Sequence, residues 1–174
     1  MIDEQLRGPS RRRRIVRAVV LFVVAFLVLV AADASRQPTS GSGWQIIGYQ
    51  RATGVRGTVQ QLADQTALDN AWQTLGFDGS PGPFDFDRSD VFWFVSTGTI
   101  GCPSHFGGVQ IDFARRVASA IFTLALTSGC DDHPVPDAFI VAIDRSRLPP
   151  APFTVELSDP PPPNSPNSTV TVTR

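Results

Sequence analysis

Lysine is absent from this 174-residue chain, whose 15 basic residues are all arginine. That removes each mechanism that depends on a lysine: a P-loop phosphate clamp, a kinase strand lysine, a Schiff base or a pyridoxal-phosphate anchor. Other reactive types are scarce, with one tyrosine (Tyr49), one methionine, two histidines and two cysteines. Charged residues make up 18% and hydrophobic residues 42%, a balance that suits one modest globular domain with appendages. The outer part of the chain also lacks positive charge. Residues 1–34 hold six arginines against Asp3, Glu4 and Asp33, a net +3, whereas residues 35–174 hold nine against thirteen acids, a net −4. An acidic body has no electrostatic footprint for nucleic acid, so that class of partner is excluded.

What is present begins with an export signal. Arg11 to Arg14 form a basic run, and residues 18–32 carry no polar side chain. Counted from Ile15, with Arg17 reaching back to the surface, the segment is about 27 Å of helix, close to the roughly 30 Å of a bilayer core. The arginines belong on the cytoplasmic side, so the remainder faces outward. Residues 1–14 thus read as a basic cytoplasmic leader and 15–33 as a single transmembrane signal anchor. Ala32-Asp33-Ala34 also fits a small-x-small cleavage site, which would make the segment a signal peptide and the protein secreted. Arg12-Arg13-Arg14-Ile15-Val16 fits a twin-arginine signal as well, although the run is more apolar than that route uses. Residues 34–43 are a polar Gly/Ser linker, and residues 158–174 are a proline-rich tail whose final Thr/Val alternation reads as frayed.

Residues 44–157 are the expected extracytoplasmic domain. Residues 44–49, 91–95, 109–113, 117–126, 138–143 and 153–157 read as strands, with Arg115-Arg116 turning the third into the fourth. Residues 66–75 read as the one helix, with Thr66 as N-cap, Asp69 at the capping-box distance and Gly76 as the stop. The expected class is mainly β (α+β), an antiparallel sandwich or barrel with one packed helix, preceded by the transmembrane helix. In Phe84-Asp85-Phe86-Asp87, aromatics alternate with acids as in a strand entering the core. The cluster Asp85, Asp87 and Asp90 lacks the glycine and distal glutamate of a calcium loop.

The cysteines and histidines supply the candidate site. Cys102 and Cys130 stand in two expected loops, and an even cysteine count in an exported domain reads as a disulfide. A closed loop of this length corresponds to about 3.5 kcal/mol on the chain-entropy model. Both histidines follow a cysteine by three residues, in Cys102-Pro103-Ser104-His105 and Cys130-Asp131-Asp132-His133. Two such pairs make a tetrahedral zinc site the competing arrangement. A third arrangement keeps the bridge and lets His105, His133, Asp131 or Asp132 hold a metal. The favoured reading is a bridge with no cofactor and two ordinary surface histidines brought close by it. Ser104 beside His105 does not make a catalytic pair, because sequence neighbours rarely face each other, and no G-x-S-x-G elbow is present. The candidate binding loops are 101–108 and 129–136, with Gly101, Ser104, His105, Phe106, Asp131, Asp132 and His133 as contact residues.

The order of features over about two thirds of the chain resembles the C-terminal domain of the PrcB-like family of bacterial protease-complex subunits. Its pieces are the tryptophan helix 67–75, Phe84-Asp85-Phe86 leading into the strand 91–95, the Gly107-Gly108 turn, and the late strand 138–143 ending near Asp144-Arg145. Where that family carries a Thr-Gly-Gly-Tyr-like turn, this chain has His105-Phe106-Gly107-Gly108-Val109, and the cysteine pair is additional. The resemblance implies an exported, non-catalytic β-rich accessory module that contacts another protein, such as an envelope protein or a protease. A metal-assisted hydrolase using His105 and His133 with nearby acids is the alternative from a different class, and a purely structural spacer is the third.

Overall fold

The two continuous apolar runs of the sequence become the paired centre of the fold. In the computed structural model, β4 (Ser89–Thr99) and β7 (Pro134–Asp144) pair antiparallel along eleven residues, from Ser89 opposite Asp144 to Thr99 opposite Pro134. Both strands are apolar on both faces because both faces are covered. Phe92, Phe94, Phe139, Val141 and Ile143 point into the main core, while Val91, Trp93, Val95, Ala138, Ile140 and Ala142 pack beneath a helix.

The structure describes residues 40–51, 58–124, 130–131, 133–158 and 169–173, all within the unit Gln37–Arg174. The leader 1–14, the apolar segment 15–33, most of the linker, Asp132 and the proline tract lie outside the described residues. Among those described, no helix is long and apolar enough to cross a membrane.

Among the described residues, nine strands form two sheets. The first has the order β1 (Ser40–Gly41), β2 (Trp44–Arg51), β7, β4, β3 (Thr58–Leu62). The second has the order β5 (Ser104–Asp112), β6 (Val117–Leu124), β8 (Phe153–Ser158), β9 (Thr169–Val172). They face each other across one core, where Phe94, Phe106, Phe122 and Phe139 form a chain of ring contacts at 5.3–5.9 Å between successive centroids. The architecture is therefore the mainly β sandwich expected, with one departure: β6 and β8 pair parallel. That pairing requires a crossover, and β7 in the opposite sheet supplies it.

Helix α1 (Gln65–Thr74) lies on the outer face of the first sheet and buries Leu68 and Ala71. Its N-cap is Asp64, whose carboxylate accepts from the Ala67 N–H at 2.8 Å, and not Thr66. Asp64 is the extended residue (φ −151°, ψ 176°) from which the helix starts, so Thr66 already lies inside it. The Gln65 amide donates to Gly82 O and Asp69 and accepts from the Phe84 N–H. Gly76, at φ +72°, ends the helix as expected. Its N–H donates to Gln73 O, and the Phe77 N–H donates to Trp72 O, the Schellman pattern.

Three further expectations are corrected. β3 has the polar sequence Thr-Val-Gln-Gln-Leu, in which only Val59 and Leu62 are buried, so periodicity left it silent. Phe84 and Phe86 are half-buried against the helix as the alternation implied, but Asp85 accepts from the Asp87 and Arg88 N–H groups, making a turn and no strand. The last alternating residues are β9 rather than a frayed end, because Val172 is fully enclosed and β9 covers the β8 edge.

Trp44, Ser89, Asp112 and Asp144 mark one end of the sandwich, and Arg51, Thr99 and Ser104 mark the other. Substituting Val172→Ala is expected to lower unfolding stability by roughly 2 kcal/mol, the range for shortening an enclosed aliphatic side chain, while Thr171→Ala changes it by less than about 0.5 kcal/mol. Urea denaturation of the two variants checks this.

Candidate functional site

At the Arg51 end, β4 passes into β5 through the tight turn Thr99-Ile100-Gly101-Cys102. The Thr99 N–H donates to Cys102 O at 2.9 Å, and the Cys102 N–H donates to Thr99 O at 3.0 Å. A second segment clasps this turn. The Asp131 N–H donates to Ile100 O at 3.0 Å, and the Ile100 N–H donates to His133 O at 3.3 Å. Cys102 and Cys130 are disulfide-bonded with their Cα atoms 5.2 Å apart, and no described cysteine is free. The bridge thus joins the two loops singled out in the sequence. Cys102 is buried, whereas Ile100, at 51% exposure, stands at the tip of the clasped turn.

Directly beneath lies a polar cluster whose key residue was not singled out in the sequence. Asp137 of β7 is fully buried. One carboxylate oxygen accepts from the Tyr49 hydroxyl at 3.0 Å and the Arg51 Nε at 3.2 Å, and the other accepts from the Ser104 N–H at 2.7 Å. Arg51 also donates to Thr99 O, and the Ser96 and Ser104 hydroxyls share a hydrogen bond of 2.7 Å. This one carboxylate therefore ties β2 and β7 to β5, across the gap between the sheets. Gly98 is required beside it, since a Cβ there would overlap an Asp137 carboxylate oxygen, the Ser104 N and the Cys102 O. Burial, and then the Asp137 charge, push the Tyr49 phenol up to about 12. The sequence signal was faint: an acid one residue before an apolar run, and the chain's single tyrosine.

The candidate contact residues divide. Gly101, Asp131 and His133 are exposed at the surface, where the Asp131 carboxylate accepts from the His133 N–H and lies 2.6 Å from its Nδ1. His105 is half-buried on β5, opposite Thr123. Ser104 and Phe106 are a correction: both are strand residues with no exposed surface, and neither can serve as a loop contact. Phe106 is a core ring, edge-on to Trp44 at 4.9 Å. Strand alternation also turns the Ser104 hydroxyl inward and the His105 ring away from it. Asp132 lies outside the described residues. Among the described residues no group of three or more His, Cys, Asp or Glu side chains is placed to hold a metal ion. Of the acids weighed for calcium, Asp90 is buried against Arg145 Nε at 2.9 Å and Asp85 caps a turn.

Comparison with known proteins returns no matching family model, curated protein or solved structure.

Removing the buried carboxylate by Asp137→Ala strands a guanidinium, a hydroxyl and an N–H together, and is expected to cost about 3–5 kcal/mol in chemical denaturation. The raised Tyr49 value has a definite sign. The unfolded tyrosine ionises near its ordinary value of 10.0 while the folded one keeps its proton to about 12. Stability from this group is therefore complete below the first value and falls as pH rises through the interval. A stability–pH series on the wild type and Tyr49→Phe should show that fall only in the wild type.

Proposed function

We infer that the chain is a single-pass membrane-tethered, or secreted, extracytoplasmic β-rich module that acts by binding another protein, with no catalysis of its own. The observation that carries this is the clasped turn at the Arg51 end. The chain's only two cysteines are used to hold one exposed aliphatic residue, Ile100, on a rigid loop. An apolar side chain presented on preorganised backbone loses little entropy on association, which is how binding loops achieve affinity. A stable bridge also belongs to an oxidising compartment, which agrees with the basic leader and apolar segment ahead of the domain. The implied partner is an envelope protein or a protease, as in the PrcB-like family that the order of features resembles.

The compartment is tested by alkylating intact cells: without reductant neither cysteine should react. The surface is tested with a photo-crosslinking residue at position 100 in the full chain. A discrete adduct is expected from that position and none from Gln60 on β3, and Ile100→Asp should abolish partner capture without moving the unfolding midpoint. Capture unchanged in Ile100→Asp and in His105→Ala/His133→Ala would remove the assignment. The metal-assisted hydrolase is favoured instead if protein purified without chelators carries one stoichiometric metal and two free thiols.

A further inference from the structure

We propose that β5 is a homodimer interface, in which Val109 to Phe113 pair antiparallel with the same residues of a second copy about a two-fold axis at Ile111. The sandwich is closed along one side, where β3 lies against β9. Along the other side β5 ends its sheet, and among the described residues its outer edge meets no strand. The first sheet ends there in the two-residue β1 beside β2. The free edge of β5 carries unpaired N–H and C=O groups, a template for one more strand.

Two features fix the length and register of what pairs there. A β-bulge interrupts β5 between Phe106 and Gly108, and Gly108 holds a φ of +135° that favours glycine. The hairpin turn begins at Phe113. Between bulge and turn, Val109 to Phe113 is a short stretch centred on Ile111. Paired with its own copy about that centre, it sets Phe113 opposite Val109 and Asp112 opposite Gln110. Apolar residues then meet on the inner face, and no like charges stand opposite each other on the outer face.

The alternation of β5 had placed Phe113 in the core with Val109 and Ile111. Instead Phe113, at 60% exposure, is the most exposed of the large hydrophobic side chains described. It stands at the rim of a cleft of about 330 Å³ that Trp44, Val109, Ile111 and Ile143 also line. The register carries the partner's Phe113 to Val109, at that cleft. A projecting ring and a receiving cleft on one strand make a self-complementary patch, which a two-fold interface requires. Charge selects a second copy as well. At this end of the sandwich Arg88, Arg115, Arg116, Arg145 and Arg147 are matched by Asp85, Asp87, Asp90, Asp112 and Asp144. Such a balanced surface accepts its own image, whereas a strongly acidic or basic partner gains nothing from it. The pairing does not depend on what Ile100 binds.

Full-length chains carrying Gln110→Cys and Asp112→Cys, separately tagged and mixed in detergent micelles under mild oxidation, test the register. Mass spectrometry of the unreduced dimer is expected to find a bridge between positions 110 and 112, and none when Gln110→Cys is mixed with Thr171→Cys on β9. Sedimentation equilibrium of the chain without added cysteines should show a dimer. Phe113→Ser should raise its dissociation constant by about 30-fold or more, the range for losing an aromatic anchor. An unchanged unfolding midpoint shows that this variant is folded. A chain that stays monomeric, a dimer without the 110–112 bridge, or a dimer indifferent to Phe113→Ser overturns the proposal.

Discussion

The eleven-residue ladder between β4 and β7 is the interaction on which the rest of the molecule leans. Each strand contributes one row of side chains to the phenylalanine core and another to the layer under α1. Water reaches neither face, so breaking the ladder would expose apolar surface on both sides together. Both ends of the sandwich are positioned from it. At one end, the Arg88 O–Arg145 N bond continues the ladder past Ser89 and Asp144. At the other, Thr99 and Pro134 lead into the two segments that the disulfide joins.

Asp137 sits inside this apolar ladder and is tolerated because both oxygens of its carboxylate accept hydrogen bonds, from Tyr49, Arg51 and the Ser104 N–H. A buried charge of this kind contributes little net stability compared with a hydrocarbon of the same shape, and its removal is far costlier than its replacement. What it contributes is register. A slip of β5 by one residue would aim the Ser104 N–H away from the carboxylate and turn Phe106 out of the core. The clasped turn above it inherits that rigidity, so Ile100 is presented from a defined position rather than from a loose loop.

Much of this was legible in the residues. The runs Val91 to Val95 and Ala138 to Ile143 announced doubly covered strands, and the cysteines announced their own bridge. Local periodicity failed where burial was decided by distant partners. β3 has only two apolar residues, Val59 in the sandwich core and Leu62 on the opposite face under the helix, and β9 is a strand only because β8 offers it an edge. The amphipathic pattern of β5 ran one residue too far, since the hairpin turns before Phe113 can face the core. The polar cluster was unreadable for a related reason. Tyr49, Ser104 and Asp137 are separated by dozens of residues, and no local pattern distinguishes an acid that will be buried from one that will be solvated.

The parallel pairing of β6 with β8 has a consequence for how the chain acquires its structure. The second sheet cannot close until β7 has been laid into the first, and β9 then lies against β3 from the far end of the sequence. Contacts of such long range place the fold among slow, high-contact-order topologies. A polypeptide synthesised N-terminus first therefore completes the β8 edge only once Val172 is available. Its middle strands, the most apolar part of the molecule, spend that interval exposed and in need of protection from their own kind.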